Sequence, residues 1–277
     1  MRRFSAEYLE RTREGMWADS REALVDLDLS DRTRILDVGC GTGELTRVLA
    51  AESPAEVIGC DADADLLPVA SEHVPAVAGD ALRLPFKKDS FDLVVCQALL
   101  INLPDPAAAL REFGRVSSDL VAAVEPNNAA VDVDSTVSTE VDLEGRVREA
   151  YLRGVETDVA LGDRVESLFE ESGIEVISTR RYSHEKRTEP PYSEAELTDA
   201  ARKASGAGLA DHETELRRGL EGRESTYDDL RREWREMGRS VVDEMQAGDY
   251  ERVETVPFDV TVGRVETSRA ESAEANG

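Results

Sequence analysis

The chain has 277 residues, enough to bury a sizeable core, and 59 acidic against 33 basic side chains give it a formal net charge of −26. That balance argues against a large nucleic-acid footprint, which needs clustered Lys or Arg. No apolar run is long enough to cross a membrane, and Met1-Arg-Arg-Phe-Ser lacks the apolar segment of a secretory signal, so a cytoplasmic location is expected.

Residues 1–30 read as two short helices, with Phe4, Tyr8, Leu9 and Thr12 on one face and Ala23, Leu24 and Leu27 on another. The stretch Arg34 to Arg47 organises the rest of the chain. Ile35, Leu36 and Val38 form a buried strand, Gly39, Gly41 and Gly43 come next, and Leu45, Val48 and Leu49 recur at helical spacing. Glycines at such a corner permit backbone angles that a Cβ forbids, so N–H groups at the helix start are expected to face a ligand. The dinucleotide fingerprint needs glycine or alanine at position 44, and Glu44 stands there instead. Asp37 suits a cationic group, such as an α-amino group. Ala55–Cys60 reads as a second strand ending in Asp61, where an acid for ribose hydroxyls is expected about 20 residues past the turn.

Ala62–His73 then reads as a helix, Pro75–Gly79 as a third strand leading into Asp80 and Ala81, and Phe91–Gln97 as a fourth. A helix over Ala107–Val116 and a fifth strand over Leu120–Glu125 come after it, with Glu125, Asn127 and Asn128 at the strand's end. Residues 129–155 are acidic and poor in apolar side chains and read as an insertion. Val159, Val165, Leu168 and Phe169 support a helix ending near Gly173, and Ile174–Tyr182 is a sixth strand. A mostly helical segment intervenes before a last strand at Val256–Gly263. In it Leu197, Ala201 and Ala204 repeat, and Tyr227, Leu230, Trp234, Met237, Val241 and Met245 form a buried stripe, expected to pack on the core as a cap. Cys40, Cys60 and Cys96 show no C-x-x-C spacing, so they are expected to be small buried residues, and no metal site is expected.

Asp37-x-Gly39-x-Gly41-x-Gly43 resembles the first motif of the class I S-adenosylmethionine-dependent methyltransferases. Asp61, Val77-Ala-Gly-Asp80-Ala81 and Phe91–Gln97 resemble the next three segments of that family, in order. The resemblance covers residues 32–126 strongly and the final strand weakly. It implies an α/β fold with a Rossmann-like seven-stranded sheet, helices on both faces, and a helical cap inserted before the last strand. The implied layout is a helical lid at 1–30, a core at 31–191, a cap at 192–248, the final strand at 249–265 and a disordered tail at 266–277. The implied cofactor is S-adenosyl-L-methionine, held by Asp37, Gly39, Cys40, Gly41, Gly43, Asp61, Ala62, Asp80, Ala81, Gln97 and Asn102.

Tyr8, Arg11 and Trp17 are lid candidates by the same resemblance, and Tyr8, Trp17, Asn127, Asn128 and Tyr151 are candidates to face the acceptor. Methyl transfer rests mainly on positioning, and His184 is the imidazole candidate where a base is needed. Cys96-Gln97-Ala98-Leu99 lacks the Asn/Asp-Pro-Pro-Tyr segment of enzymes that act on amide or adenine nitrogens. The expected function is therefore methyl transfer to a small-molecule acceptor by a monomer or homodimer. One alternative is a tRNA- or protein-directed methyltransferase with an arginine groove of Arg146, Arg148, Arg153, Arg180 and Arg181. The other is a non-catalytic cofactor-binding scaffold that uses the Trp234 helix as its interface. The acidic surface, whose few lysines are Lys87, Lys88, Lys186 and Lys203, resembles that of haloarchaeal proteins, where high salt screens self-repulsion.

Overall fold

The computed structural model describes residues 16–72 and 74–266; Tyr8, Arg11, His73 and the tail from 267 onward lie outside the described residues. In chain order the elements are α1 (Met16–Asp19), 3-10 turns, β1 (Arg34–Val38), α2 (Glu44–Glu52), β2 (Glu56–Asp61), α3 (Leu67–Ala70), β3 (Ala76–Ala78), β4 (Phe91–Gln97), α4 (Pro106–Val116) and β5 (Ser117–Pro126). Then come β6 (Asp132–Ser135), α5 (Ser138–Gly154), α6 (Val165–Glu171), β7 (Ile174–Thr188), α7 (Glu194–Ser205), α8 (Ala207–Ala210), α9 (Glu213–Gly219), α10 (Tyr227–Ala247) and β8 (Arg252–Val265). The chain divides into two units, one of Met1–Pro126, Leu161–Tyr182 and Phe258–Gly277, the other of Asn127–Ala160 and Ser183–Pro257. Of the stretch 31–191 expected as one core, residues 127–160 and 183–191 fall in the second unit.

Strand order is β3-β2-β1-β4-β5-β8-β6, with β7 also on β8. The first five strands are parallel. Leu93, Val94, Val95 and Cys96 on β4 are fully buried, as the continuous apolar run of a parallel strand covered on both faces requires. β8 runs antiparallel to β5, with Pro126 opposite Phe258 and Leu120 opposite Arg264. The sequence implies seven strands; among the described residues there are eight. The addition is β6, which pairs with the start of β8 (Asp132 opposite Thr255), because β8 extends beyond its β5 partner and offers a free edge there.

Ala62–His73 is not one helix: only Leu67–Ala70 is helical. Asp61 accepts from the Asp63 N–H and Asp63 from the Asp65 N–H, and these side-chain turns compete with helix at its expected start.

The second unit has its own hydrophobic core. The α10 stripe Tyr227, Leu230, Trp234, Met237, Val241 and Met245 is buried as its period requires, against Leu143 and Ala150 of α5, Ala200 of α7 and Leu216 of α9. Leu197, expected to join the α7 stripe, is half exposed, and Ala200 is the buried residue instead. The 17-residue helix α5 is not legible in the sequence because its buried face mixes Leu143 with Glu140, Ala150 and Gly154. A Cβ on Gly154 would lie 1.8 Å from the Glu215 carbonyl oxygen, and one on Gly219 equally close to that of Ala150. Such backbone contact leaves little apolar periodicity in the sequence.

Charge is also buried in this unit. Glu140 is fully buried and binds the Lys203 ammonium, the Ser135 hydroxyl at 2.6 Å and the Tyr250 hydroxyl at 2.9 Å. Glu144 pairs with Lys203 and Arg252, each at 2.9 Å. Burial raises the Glu144 carboxyl, but these two cations outweigh it and hold the group below the usual carboxylate range. Removing one member leaves buried partners uncompensated, so Glu140→Ala is expected to destabilise the protein by about 3–5 kcal/mol, read as a lowered urea midpoint at fixed KCl. A loss under about 1 kcal/mol would show that the cluster behaves as a solvated surface pair.

Candidate active site

β1 and the helix α2 are joined by a corner in which Gly39, Gly41 and Gly43 have φ of 72°, 55° and 84°. Side chains other than glycine rarely adopt this left-handed conformation. Four of the corner's N–H groups are bonded within the chain. Gly39 and Cys40 donate to the Cys60 carbonyl at 2.7 and 3.2 Å, Gly41 donates to the Asp61 carboxylate at 2.8 Å, and Gly43 donates to the Cys40 carbonyl at 2.8 Å. The corner is preformed by the chain itself. Beneath it Asp37, only 1% exposed, accepts from the Thr46 hydroxyl at 2.6 Å.

Asp61 ends β2, half-buried, with its two oxygens on the Gly41 and Asp63 N–H groups. A carboxylate offers about four acceptor sites, so capacity remains for hydroxyl donors. Ala62 beside it is exposed. Past β3, Asp80 is exposed and accepts from the Leu82 N–H at 2.9 Å, while Ala81 is buried. Register sets these groups along one sheet edge, because Val38 pairs with both Cys60 and Cys96, and Asp61 pairs with Ala78.

The loop leaving β4 is the most constrained part of that edge. Gln97 is buried; it accepts from the Trp17 indole N–H at 3.3 Å and donates to the Met16 sulfur at 3.0 Å. Ala98 has φ of 48°, a strained value for a residue with a Cβ. Asn102 donates to the Ala98 carbonyl at 2.8 Å, and its own amide oxygen is buried with no partner among the described residues. Leu99 reaches the glycine corner, where a Cβ on Gly39 would lie 2.8 Å from its Cδ1.

From its place at the end of β5, Glu125 is a candidate in sequence to meet a polar acceptor. It is instead fully buried and accepts from the N–H groups of Leu99 at 3.0 Å, Leu100 at 2.8 Å and Ile101 at 3.4 Å. Burial pushes its carboxyl up to about 7, against the lowering effect of those three bonds. The thiols of Cys40, Cys60 and Cys96 are all buried and raised first by that burial, Cys60 to about 12, which suits packing rather than nucleophilic work.

Residues 36–119 match the family model described as "Methyltransferase domain". Over 107 residues the chain is 41% identical to a demethylmenaquinone methyltransferase of Lactiplantibacillus plantarum, covering 35% of this chain and 45% of that protein. The corresponding Staphylococcus aureus enzyme is 38% identical over 104 residues, covering 35% and 43%. Residues 36–119 are thus a methyltransferase domain. The chain spans less than half the length of the curated relatives it matches. The fold likeness extends further. A Bacillus halodurans crystal structure classed with the methyltransferases aligns with a TM-score of 0.52 at 16% identity, over 89% of this chain and 98% of that one. A chain from the complex between the Haloferax volcanii Trm112 methyltransferase activator and a methyltransferase aligns with a TM-score of 0.51 at 15% identity, over 94% and 93%.

The residues of the methyltransferase domain fit its cofactor, S-adenosylmethionine. A buried acid under a glycine corner, an acid with spare acceptor capacity on the next strand and a third acid beyond it suit a ligand with an amino group and ribose hydroxyls. Other candidates lie elsewhere. Asn127 caps a 3-10 turn by accepting from Ala129, Asn128 donates to the Val159 carbonyl at 2.6 Å, and Tyr151 meets His212 edge-on at 5.1 Å, all in the second unit. His184 is buried in the same unit. Not singled out by the sequence are Thr46, Ala98 and Tyr182, whose ring stacks on Phe258 at 5.8 Å and faces Trp17 at 6.2 Å. Among the described residues no group of His, Cys, Asp and Glu could hold a metal, and no helix is long and apolar enough to cross a membrane.

Because the folded protein keeps a proton on Glu125 that the unfolded chain releases above about 4.5, this group favours folding at low pH. The contribution is full below the unfolded value and is lost as pH rises through about 7. Glu125→Gln is permanently neutral and keeps an oxygen for the Leu99 and Leu100 N–H groups. Its stability relative to wild type is expected to rise by on the order of 3 kcal/mol between pH of about 4.5 and about 7, measured by denaturation at both ends. An unchanged difference would show that Glu125 does not titrate in that window.

Proposed function

We propose that this protein transfers a methyl group from S-adenosylmethionine to a small-molecule acceptor by in-line displacement. The observation that carries the reading is the buried Asp37 beneath a glycine corner already locked by Asp61 and Cys60. The cofactor supplies an activated methyl group on a sulfonium. Asp37 faces its α-amino group, Asp61 its ribose hydroxyls, and Asp80 with the Ala81 N–H its adenine edge. Because the corner and the loop after β4 are fixed in advance, little ordering remains for binding, and positioning supplies most of the rate effect. His184 is the base candidate for an acceptor that must lose a proton.

A small acceptor is supported by the relatives named as demethylmenaquinone methyltransferases, which also put a quinone-ring carbon among the candidates. The five arginines of the groove expected for a tRNA- or protein-directed enzyme are engaged within the chain. Arg146 pairs with Glu233, Arg153 with Glu149, Arg180 with Asp26 and Arg181 with Asp259, while Arg148 donates to the Val131 carbonyl.

Calorimetric titration with S-adenosylmethionine in multimolar KCl is expected to show saturable binding, weakened about tenfold or more in Asp61→Ala by loss of a charge-assisted hydrogen bond. Absence of binding by protein shown to be folded would sink the proposal. Transfer of labelled methyl to demethylmenaquinone, but not to tRNA, would identify the acceptor class.

A further inference from the structure

On α10, Arg231, Arg235 and Arg239 recur at four-residue steps, and with Asp228 and Arg232 they line a groove of roughly 270 Å³. Like charges so spaced repel one another. Three acids of the same helix pair with other arginines, Asp228 with Arg217 at 3.3 Å, Asp229 with Arg232 at 2.8 Å and Glu233 with Arg146 at 2.5 Å, while Glu236 and Asp243, three and four residues from Arg239, make no ion pair with the stripe among the described residues. Among the described residues none of Arg231, Arg235 and Arg239 has an ion-pair partner. The Arg231 Nε is moreover buried with no acceptor among the described residues, an arrangement that costs free energy.

The arginines are also held in place. Gly206, in left-handed conformation at the end of α7, has no side chain to obstruct them; a Cβ there would stand 2.9 Å from Arg235 Cγ and 3.2 Å from Arg231 Nε. Two adjacent guanidinium stems thus lie against the helix end, with rotamer freedom already reduced. Planar guanidinium forks match the oxygens of a phosphate bidentately. A long polyanion would meet the repulsion of a chain of net charge −26, whereas a compact dianion balances the stripe locally.

We propose that Arg231, Arg235 and Arg239 form a binding site for a phosphate group, as the free ion or as the monoester of a small metabolite. The site is independent of the cofactor-binding reading. Its test is a titration of the arginine Nε–H resonances with inorganic phosphate at fixed ionic strength in KCl. Saturable shifts at Arg231 and Arg235 are expected. Substituting the two exposed residues together, Arg235→Gln with Arg239→Gln, should weaken binding about tenfold or more without moving the thermal midpoint in KCl alone. Arg235→Lys keeps the charge but not the fork and should recover only part of the affinity. A parallel titration with glycerol phosphate separates the sources: tighter binding marks a metabolite monoester, and equal binding marks the free ion. A linear, non-saturating response, or an unchanged response in the double variant, would overturn the proposal, as would an oligonucleotide binding where inorganic phosphate does not.

Discussion

The sheet edge at the ends of β1, β4 and β5 depends on one buried carboxylate. Glu125 gathers the N–H groups of Leu99, Leu100 and Ile101, and Leu99 in turn fills the space that Gly39 leaves open. Three strand ends, those of β1, β4 and β5, are thereby tied through a single set of contacts. The tie explains why Ala98 sustains a left-handed backbone beside it, since the bonds on either side over-determine its conformation. An acid so placed is in tension with its surroundings, because burial favours the neutral carboxyl while three N–H donors favour the charged one.

The glycine corner obeys the same logic of internal satisfaction. The Gly39, Cys40 and Gly41 N–H groups are taken by the Cys60 carbonyl and the Asp61 carboxylate, so the chain's own bonds hold the corner in shape above Asp37. Small residues serve packing on neighbouring strands as well: a Cβ on Gly59 would meet the Cys40 sulfur at 2.9 Å, and one on Gly79 the Cys60 sulfur at 2.6 Å. The cysteines at these strand ends are therefore fitted against glycines.

The second unit relies on different physics. Its helices approach through Gly154, Gly219 and Gly238, and it fixes Glu140 and Glu144 with Lys203 and Arg252. In a chain with so large an excess of acids, cations are scarce, and among the described residues most are drawn into pairs. The arginine stripe of α10 departs from that pattern, which is what gives it chemical interest.

Residue type and period alone determined the strand, glycine corner and helix at 34–52, the order of the acids Asp37, Asp61 and Asp80, the apolar strands β2, β4 and β5 and the buried stripe of α10. Each rests on local steric rules or on a solvent-facing periodicity that a single segment carries. What sequence could not carry was anything decided by a partner distant in the chain. The apolar period of α5, Leu143, Val147 and Ala150, is thin because part of its contact is backbone to backbone at Gly154 and Gly219, the strand β6 exists because β8 has a free edge, and Ala62–Asp65 turns instead of coiling because aspartates bond their own neighbours. Glu125 has, in sequence, the look of a group waiting for a ligand, and only the fold brings three N–H donors to it, because the loop after β4 ends where β5 does.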